Sequence, residues 1–294
     1  MSKLTTNVRS ARKVRMAGLD KFYTIPAVAE NCIKIVGKLY AWANWGLVVE
    51  PSAGNGSFLT RLPTTNRIGI DIEPENDPSG DWRDEIIEQD FLTYSPPIDT
   101  KNILVIGNPP FGRVSSLAIK FFNHASRWAT IIAFILPRTF RRISVQNKLD
   151  RYMHIVHDSD IPVKPCSFSP PMTAKCCFQI WEKRSTKRTI INLVTRHKDW
   201  EFLGFGANDV RGQPTPPNNA DFAIRAYGGN CGEIIMTGLE HLRPKSWHWI
   251  RAKINKATLA TRFRALDYSL STNTARQNSI GKGELVLLYS TEFG

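Results

Sequence analysis

Four short apolar runs constrain the fold of this chain: "LVVE" (47–50), "RIGIDIE" (67–73), "NILVIG" (102–107) and "TIIAFILP" (130–137). Each is closed by a turn and too short for a buried helix, and all but the alternating "RIGIDIE" are continuously apolar. They read as strands buried on both sides. "EIIEQDF" (85–91), "HIVHD" (154–158) and "CCFQIWEK" (176–183) extend the set. Between them lie segments with helical spacing: "IPAVAENCIKIVGKLYAWA" (25–43) with Pro26 near its start, "SFLTRL" (57–62) opening a helix, "SSLAIKFFNHAS" (115–126), and the basic "RRISVQNKLDRY" (141–152). Such alternation predicts an α/β fold with a doubly wound, mostly parallel sheet. Ligands of such a sheet bind beyond the carboxyl ends of the strands, where strand order reverses. After Arg184 the texture changes to turn-rich segments such as "FGANDVRGQPTPPNNAD" and "YGGNCG". The chain therefore divides into a basic N-terminal arm (1–20), an α/β domain (21–184) and a smaller C-terminal α+β region (185–294).

Net charge is +13 at pH 7, which points to a polyanionic partner, most simply nucleic acid. The arm carries Lys3, Arg9, Arg12, Lys13 and Arg15 against Asp20. No segment approaches the ~20 apolar residues of a membrane helix. The N-terminus lacks an apolar signal core, so the expected compartment is cytoplasmic, with no membrane partner. Five cysteines, an odd number without a CxxC pair, fit reduced thiols and no metal site. Composition leaves the oligomeric state open.

The strand ends carry the chemistry. "VVEPSAGNGSFL" (48–59) ends a strand in Glu50 and turns through Gly54 and Gly56, which let backbone approach a ligand closely. It lacks the GxGxxG dinucleotide pattern and the GK[ST] of a P-loop. At the next strand end Asp71 can accept ribose hydroxyls. At the third, Asp90 can accept from an adenine amine while Phe91 covers a ring face. Gly-turn, acid and acid-aromatic on successive strands make a nucleoside-shaped site.

Taken with "DKFYT" (20–24) and "NPPF" (108–111), the order "EPSAGNGSF", "GIDIEP", "QDF" resembles the class I S-adenosylmethionine-dependent amino-methyltransferases. More narrowly, it resembles the N6-adenine DNA methyltransferases whose cofactor motifs come first and whose target recognition is C-terminal. The resemblance covers residues 20–184 and implies a Rossmann-like fold. It implies that Phe22 and Thr24 close over the cofactor and that Glu50, Ser52 and the Gly54–Gly56 turn surround its methionine portion. Asp71 would hold the ribose, Ile72 pack on the adenine, and Asp90 with Phe91 recognise it.

The NPP turn itself suits methylation of an exocyclic amine, whose lone pair is delocalised into the ring. Two acceptors on the amine hydrogens favour a tetrahedral nitrogen and stabilise the developing charge. The Asn108 side chain and the Pro109 carbonyl are such a pair. Pro109 and Pro110 stiffen the backbone, and Phe111 can stack on a base extruded from its duplex. No general base stands out; the product ammonium is acidic enough to lose its proton to water.

Other signals are weaker. Pro165–Cys166 is the dipeptide of cytosine-C5 enzymes, but NPPF already holds the catalytic place, and a packed thiol is the simpler reading. His154 and His157 would face opposite sides of a strand. Asp77, Asp81, Asp84 and Glu85 read as a solvated acidic loop without a calcium pattern. Arg138, Arg141, Arg142, Lys148 and Arg151 follow the fifth strand and are candidates for phosphate contact, or a solvated helix face. In "HLRPKSWHWIRAKINK", Arg243, Lys245 and Arg251 interleave with Trp247 and Trp249, as base-stacking surfaces and small cores both do. The same site on RNA is one alternative function, because NPPF reads the base edge and not the 2′-hydroxyl. A protein-glutamine methyltransferase, which would show Tyr in place of Phe111, and a non-catalytic nucleic-acid binder are others.

Overall fold

The computed structural model describes residues 21–75 and 85–294. The basic arm (1–20) and Asp77, Asp81 and Asp84 lie outside the described residues. The described chain forms two compact units, Lys21–Thr139 with Val145–Thr189, and Phe140–Ser144 with Ile190–Gly294.

The first unit begins with β1 (Tyr23–Thr24) and helix α1 (Pro26–Leu39). Its sheet is built from β2 (Leu47–Pro51), β3 (Arg67–Asp71), β4 (Ile86–Glu88), β5 (Ile103–Gly107), β6 (Ile131–Pro137), β7 (Met153–Ile161) and β9 (Cys176–Lys183), in the order β4-β3-β2-β5-β6-β9-β7. Neighbours are parallel from β4 to β6. β9 alone runs against the others, pairing antiparallel with both β6 and β7. The sheet is thus Rossmann-like and mostly parallel, as the apolar runs predict. Helix α2 (Ser116–Ala125) follows β5.

The core explains why these runs are continuous. Val48, Leu104, Ile106, Ile131 and Ala133 pack in one cluster with Ala29, Cys32, Ile33 and Val36 of α1. Their alternates Val49, Val105, Ile132 and Phe134 are fully buried as well. On α2, Phe122 meets Trp181 of β9 edge-on at 5.3 Å. β7 behaves differently: only its end residues Met153 and Ile161 are buried, as suits the sheet's outer strand. β8 (Phe168–Ser169) leaves the sheet and pairs with β1.

Two expected helices are much shorter than their spacing suggests. "SFLTRL" holds one 3-10 turn, Leu59–Arg61. "RRISVQNKLDRY" contains only a four-residue turn, α3 (Ile143–Gln146), preceded by a 3-10 turn at Arg138–Arg141. Local capping by side chains competes with helix in the first, and tertiary pairing of the arginines in the second.

The second unit is an antiparallel sheet of β10 (Trp200–Phe202), β11 (Phe222–Arg225), β12 (Ile234–Ile235) and β13 (Trp247–Ala252), in the order β10-β13-β11-β12. Helices α4 (Lys256–Arg264) and α5 (Lys282–Phe293) follow. Trp200, Phe222, Ile224 and Ile250 pack with Leu259, Phe263, Leu285 and Tyr289 of these helices. Trp247 and Trp249 lie with Ala223 in a separate buried cluster, with Leu239 and Leu242 against it. Asp199 accepts hydrogen bonds from Tyr289 Oη (2.8 Å) and Arg262 (3.2 Å), closing the polar end of this core.

Arg142, drawn into this unit from mid-chain, grips Glu284 of α5 through two guanidinium nitrogens and donates a third bond to Ser279 (3.1 Å). Glu284 also accepts from Gly281 N at the start of α5 (2.8 Å). His248 on β13 lies against the carbonyl of Ile280 at 2.9 Å; a carbonyl only accepts, so the ring nitrogen donates.

Both contacts have measurable consequences. Glu284→Ala leaves the Arg142 guanidinium without its carboxylate, and urea unfolding should show a loss of about 3–5 kcal/mol. Burial pushes the His248 imidazole from its ordinary 6.5 down to about 4. The unfolded chain then binds more protons than the folded one between those values, so stability falls as pH drops through that window and is retained above it. His248→Gln should flatten that slope in urea titrations at successive pH values.

Candidate active site

The carboxyl ends of β2, β3, β4 and β5 open on one side of the first unit's sheet. β2 is the strand at which order reverses, with β3 on one side and β5 on the other. A cavity of about 250 Å3 lies there. Its lining includes Phe22, Ser52, Gly54, Asp71, Ile72, Asp90, Phe91, Asn108 and Pro110 from the sequence expectations, together with Lys21, Tyr23, Glu73, Leu92, Leu117 and Phe121.

Strand-end acids position the loops that follow β2, β3 and β4. Glu50, at the end of β2, is buried and faces inward. Its carboxylate accepts from Leu59 N (2.6 Å) and Phe58 N (3.3 Å), folding the Gly54–Gly56 turn back over the sheet. Burial pushes this carboxyl up to about 8 in spite of the two amide donors. Within that turn Ser52 and Gly54 have φ of +58° and +54°. A side chain at Gly54 would run into the Tyr23 ring, 2.7 Å from where its Cβ would sit. Asp71 accepts from Gly54 N and Glu73 N, both at 2.8 Å, so it ties the β2 turn to the β3 turn. Asp90 accepts from Leu92 N (2.9 Å), capping the short turn that holds Phe91. Phe91 stacks on Phe121 of α2 at 5.0 Å and meets His124 edge-on at 5.1 Å. Ile72 is 63% exposed and faces the cavity.

The strap Lys21–Thr24 closes one wall. The Tyr23 hydroxyl donates to Glu75, and Lys21 pairs with Glu73 (3.1 Å) and Glu75 (3.8 Å). Burial first, then the Glu75 bond, raises the Tyr23 phenol above its ordinary range. Tyr23, Lys21, Glu73 and Glu75 were missed in the sequence; an aromatic next to Phe22 was the only local signal.

Asn108 leaves β5 at its carboxyl end. Its Nδ2 donates to the carbonyl of Phe22 at 3.1 Å, and its Oδ1 is buried without a hydrogen-bond partner. A second, narrow cleft lies against the same residue, lined by Phe22, Asn108, Pro109, Pro110, Phe111 and Met172. Pro109 and Phe111 line this cleft and not the larger cavity. Thr24, Glu50 and Gly56 line neither; Thr24 is buried with its hydroxyl unpartnered.

The cavity's residues fit S-adenosylmethionine. An apolar Ile72 and the Phe91–Phe121 pair suit the two faces of an adenine ring. Asp90 keeps a carboxylate oxygen beyond its cap, and Asp71 keeps lone pairs beyond its two amide bonds. The Gly54 turn leaves room beside the cavity that any side chain would take.

The candidate nucleic-acid residues are divided between the two units. Arg138 pairs with Asp160 at 2.7 Å, and Arg151 donates to the Arg188 carbonyl at 3.0 Å. Arg142 is committed to Glu284, which removes it from the surface set. Arg141 is half-buried, and Lys148 is exposed. In the second unit Arg251 pairs with Glu201 at 2.8 Å, while Arg243 and Lys245 are exposed. Trp247 and Trp249 are buried and offer no stacking surface. Cys166 is a half-buried thiol whose sulfur lies 3.4 Å from the Phe168 carbonyl. His154 and His157 contact the Thr186 carbonyl (2.8 Å) and Ser159 Oγ (3.0 Å).

No family model matches the chain, and no curated protein does. Among solved structures the chain is similar to a protein described as a candidate RNA methyltransferase of Pyrococcus horikoshii. Identity there is 16% and the TM-score 0.43, over 58% of this chain and 88% of that one. It is also similar to the 23S rRNA methyltransferase ErmE (16%, TM-score 0.39, 57% and 71% covered). A third is magnesium protoporphyrin IX methyltransferase of Synechocystis with bound S-adenosylmethionine (12%, TM-score 0.41, 54% and 79% covered).

The strap's latch is testable alone. Tyr23→Phe removes one hydrogen bond worth about 0.5–1.5 kcal/mol, and Glu75→Ala removes that bond together with the Lys21 pair. Stopped-flow measurement should show S-adenosylmethionine leaving about two- to tenfold faster, with thermal stability nearly unchanged. Unchanged release would mean that the strap does not gate this cavity.

Proposed function

We propose that this chain transfers a methyl group from S-adenosylmethionine to the N6 amine of a flipped adenine in DNA. The observation that carries the reading is the buried, unpartnered Oδ1 of Asn108 between the cavity and the cleft. A buried acceptor without a donor is costly, and a substrate amine supplies the missing hydrogen.

The bound cofactor supplies an electrophilic methyl group on a sulfonium. The chain's own residues arrange the rest. Asp71 and Asp90 take the ribose and adenine donors, and the strap excludes water above them. The Phe22 carbonyl holds the Asn108 NH2 and leaves Oδ1 as the acceptor for the amine. The Pro109 carbonyl is the second acceptor, held by two prolines. Together they localise the nitrogen lone pair and stabilise positive charge as it develops. Phe111, with Met172 across the narrow cleft, offers the apolar faces between which an extruded base stacks. The net charge of +13 supports a polyanionic substrate. DNA is assigned on the motif order of the sequence.

The test is transfer of labelled methyl to matched duplex DNA, single-stranded DNA and structured RNA, followed by nucleoside digestion. The expected product is N6-methyldeoxyadenosine. Label in the ribonucleoside moves the substrate to RNA, and absence of label from all three overturns the reading. Asn108→Ala should lower kcat by about a hundredfold or more. Its cofactor affinity, read by calorimetry, should stay within about tenfold, the value of the lost Phe22 bond. Equal loss of both would remove Asn108 from the chemistry.

A further inference from the structure

The residues just after the Asn108 motif carry a backbone anomaly that neither the cavity nor the cleft requires. Gly112 has φ of +66°, which glycine adopts freely. Val114 and Ser115 follow at +52° and +61°. A β-branched residue there is an outlier, because its Cβ crowds the backbone. Such conformations persist only where the surroundings over-determine them, and they cluster at working sites.

Here the surroundings do so. The Phe111 carbonyl accepts from Leu117 N (3.2 Å) and Ala118 N (3.3 Å), which draws the two ends of the loop together. Ser115 is buried, and its hydroxyl shares a hydrogen bond with Thr139 at 2.8 Å. A Cβ on Gly112 would strike Leu117. The result is that Arg113 and Val114 are held outward: Arg113 is exposed, and Val114 is 84% exposed. Val114 thus presents a strained aliphatic side chain to water.

We propose that Arg113–Val114 is a docking element for the strand that carries the target base. This rests on the nucleic-acid reading above. Arg113 meets a phosphate, and Val114 presses on the base step beside the extruded base. Phosphate contacts set register, and apolar wedges unstack neighbouring bases. Arg113 and Val114 stand two and three residues beyond Phe111, which lines the narrow cleft. The bonds at the Phe111 carbonyl and Ser115 hold the wedge in place.

The test compares wild type, Val114→Gly and Arg113→Gln on a matched DNA duplex and its isolated target strand. Glycine adopts this φ without penalty, so Val114→Gly relieves strain while deleting the wedge. Its melting temperature should hold or rise, and cofactor affinity should stay within about twofold. Its kcat/KM on duplex should fall about tenfold or more, with a much smaller change on the single strand, where no stack has to open. Arg113→Gln should weaken binding to both and reduce the salt slope of log K by about one. An active wild type matched on duplex by both variants would overturn the docking role alone. So would parallel losses on both substrates together with lost cofactor affinity. A wild type inactive on every nucleic acid would overturn the reading beneath it, and the docking role with it.

Discussion

The hydrogen bond from the Asn108 amide to the Phe22 carbonyl joins residues 86 positions apart and organises the whole candidate site. Because a carbonyl can only accept, the NH2 of Asn108 must face Phe22, and the oxygen must face away. One bond therefore settles two matters. It pins the strap that walls the cavity, and it leaves the amide oxygen buried without a donor. Without the strap in place, Asn108 would be free to rotate, and its acceptor would have no fixed direction. On the proposed reading, cofactor closure and amine recognition are set by the same contact.

The acids at the strand ends follow a common economy. Glu50 spends both carboxylate oxygens on Phe58 and Leu59, Asp71 one each on Gly54 and Glu73, and Asp90 one on Leu92. Each builds its loop before it serves any ligand. Glu50 and Asp71 each accept one bond per oxygen, so access separates them: Glu50 is buried, Asp71 half-buried, and Asp90 exposed with one oxygen beyond its cap. A parallel sheet has no hairpins at this edge to stabilise its turns, so backbone amides there need side-chain acceptors.

Much of this was legible in the order of residues. Continuous runs such as 102–107 and 130–137 announced buried central strands because both faces of those strands pack. Strand direction was not legible: the reversed β9 is almost as buried as the neighbouring β6, and nothing local encodes its antiparallel pairing. Its partner β7 did carry a sign, since His154, His157, Asp158 and Asp160 belong on an outer strand. Asn108, Asp71 and Asp90 could be placed because their spacing from the strands is local. The Tyr23–Glu75 latch and the Arg142–Glu284 pair could not, since each joins residues far apart in a chain whose pairing the sequence does not state. Trp247 and Trp249 stood at period two on a strand, which was enough to put both on one face; that the face is covered was not.

The placement of Phe140–Ser144 bears on how such a chain can change over evolutionary time. Five residues from the middle of the sequence belong to the C-terminal unit, and one of them, Arg142, supplies the counter-charge to α5. The C-terminal unit is thus not a cassette with a single seam. A recombination that replaced residues 190–294 with a homologous segment would bring in a new α5 while keeping the old arginine. Unless the newcomer also carried a carboxylate at the position of Glu284, one buried charge would be stranded. Exchange of this unit between lineages is filtered by a residue that lies outside the exchanged block.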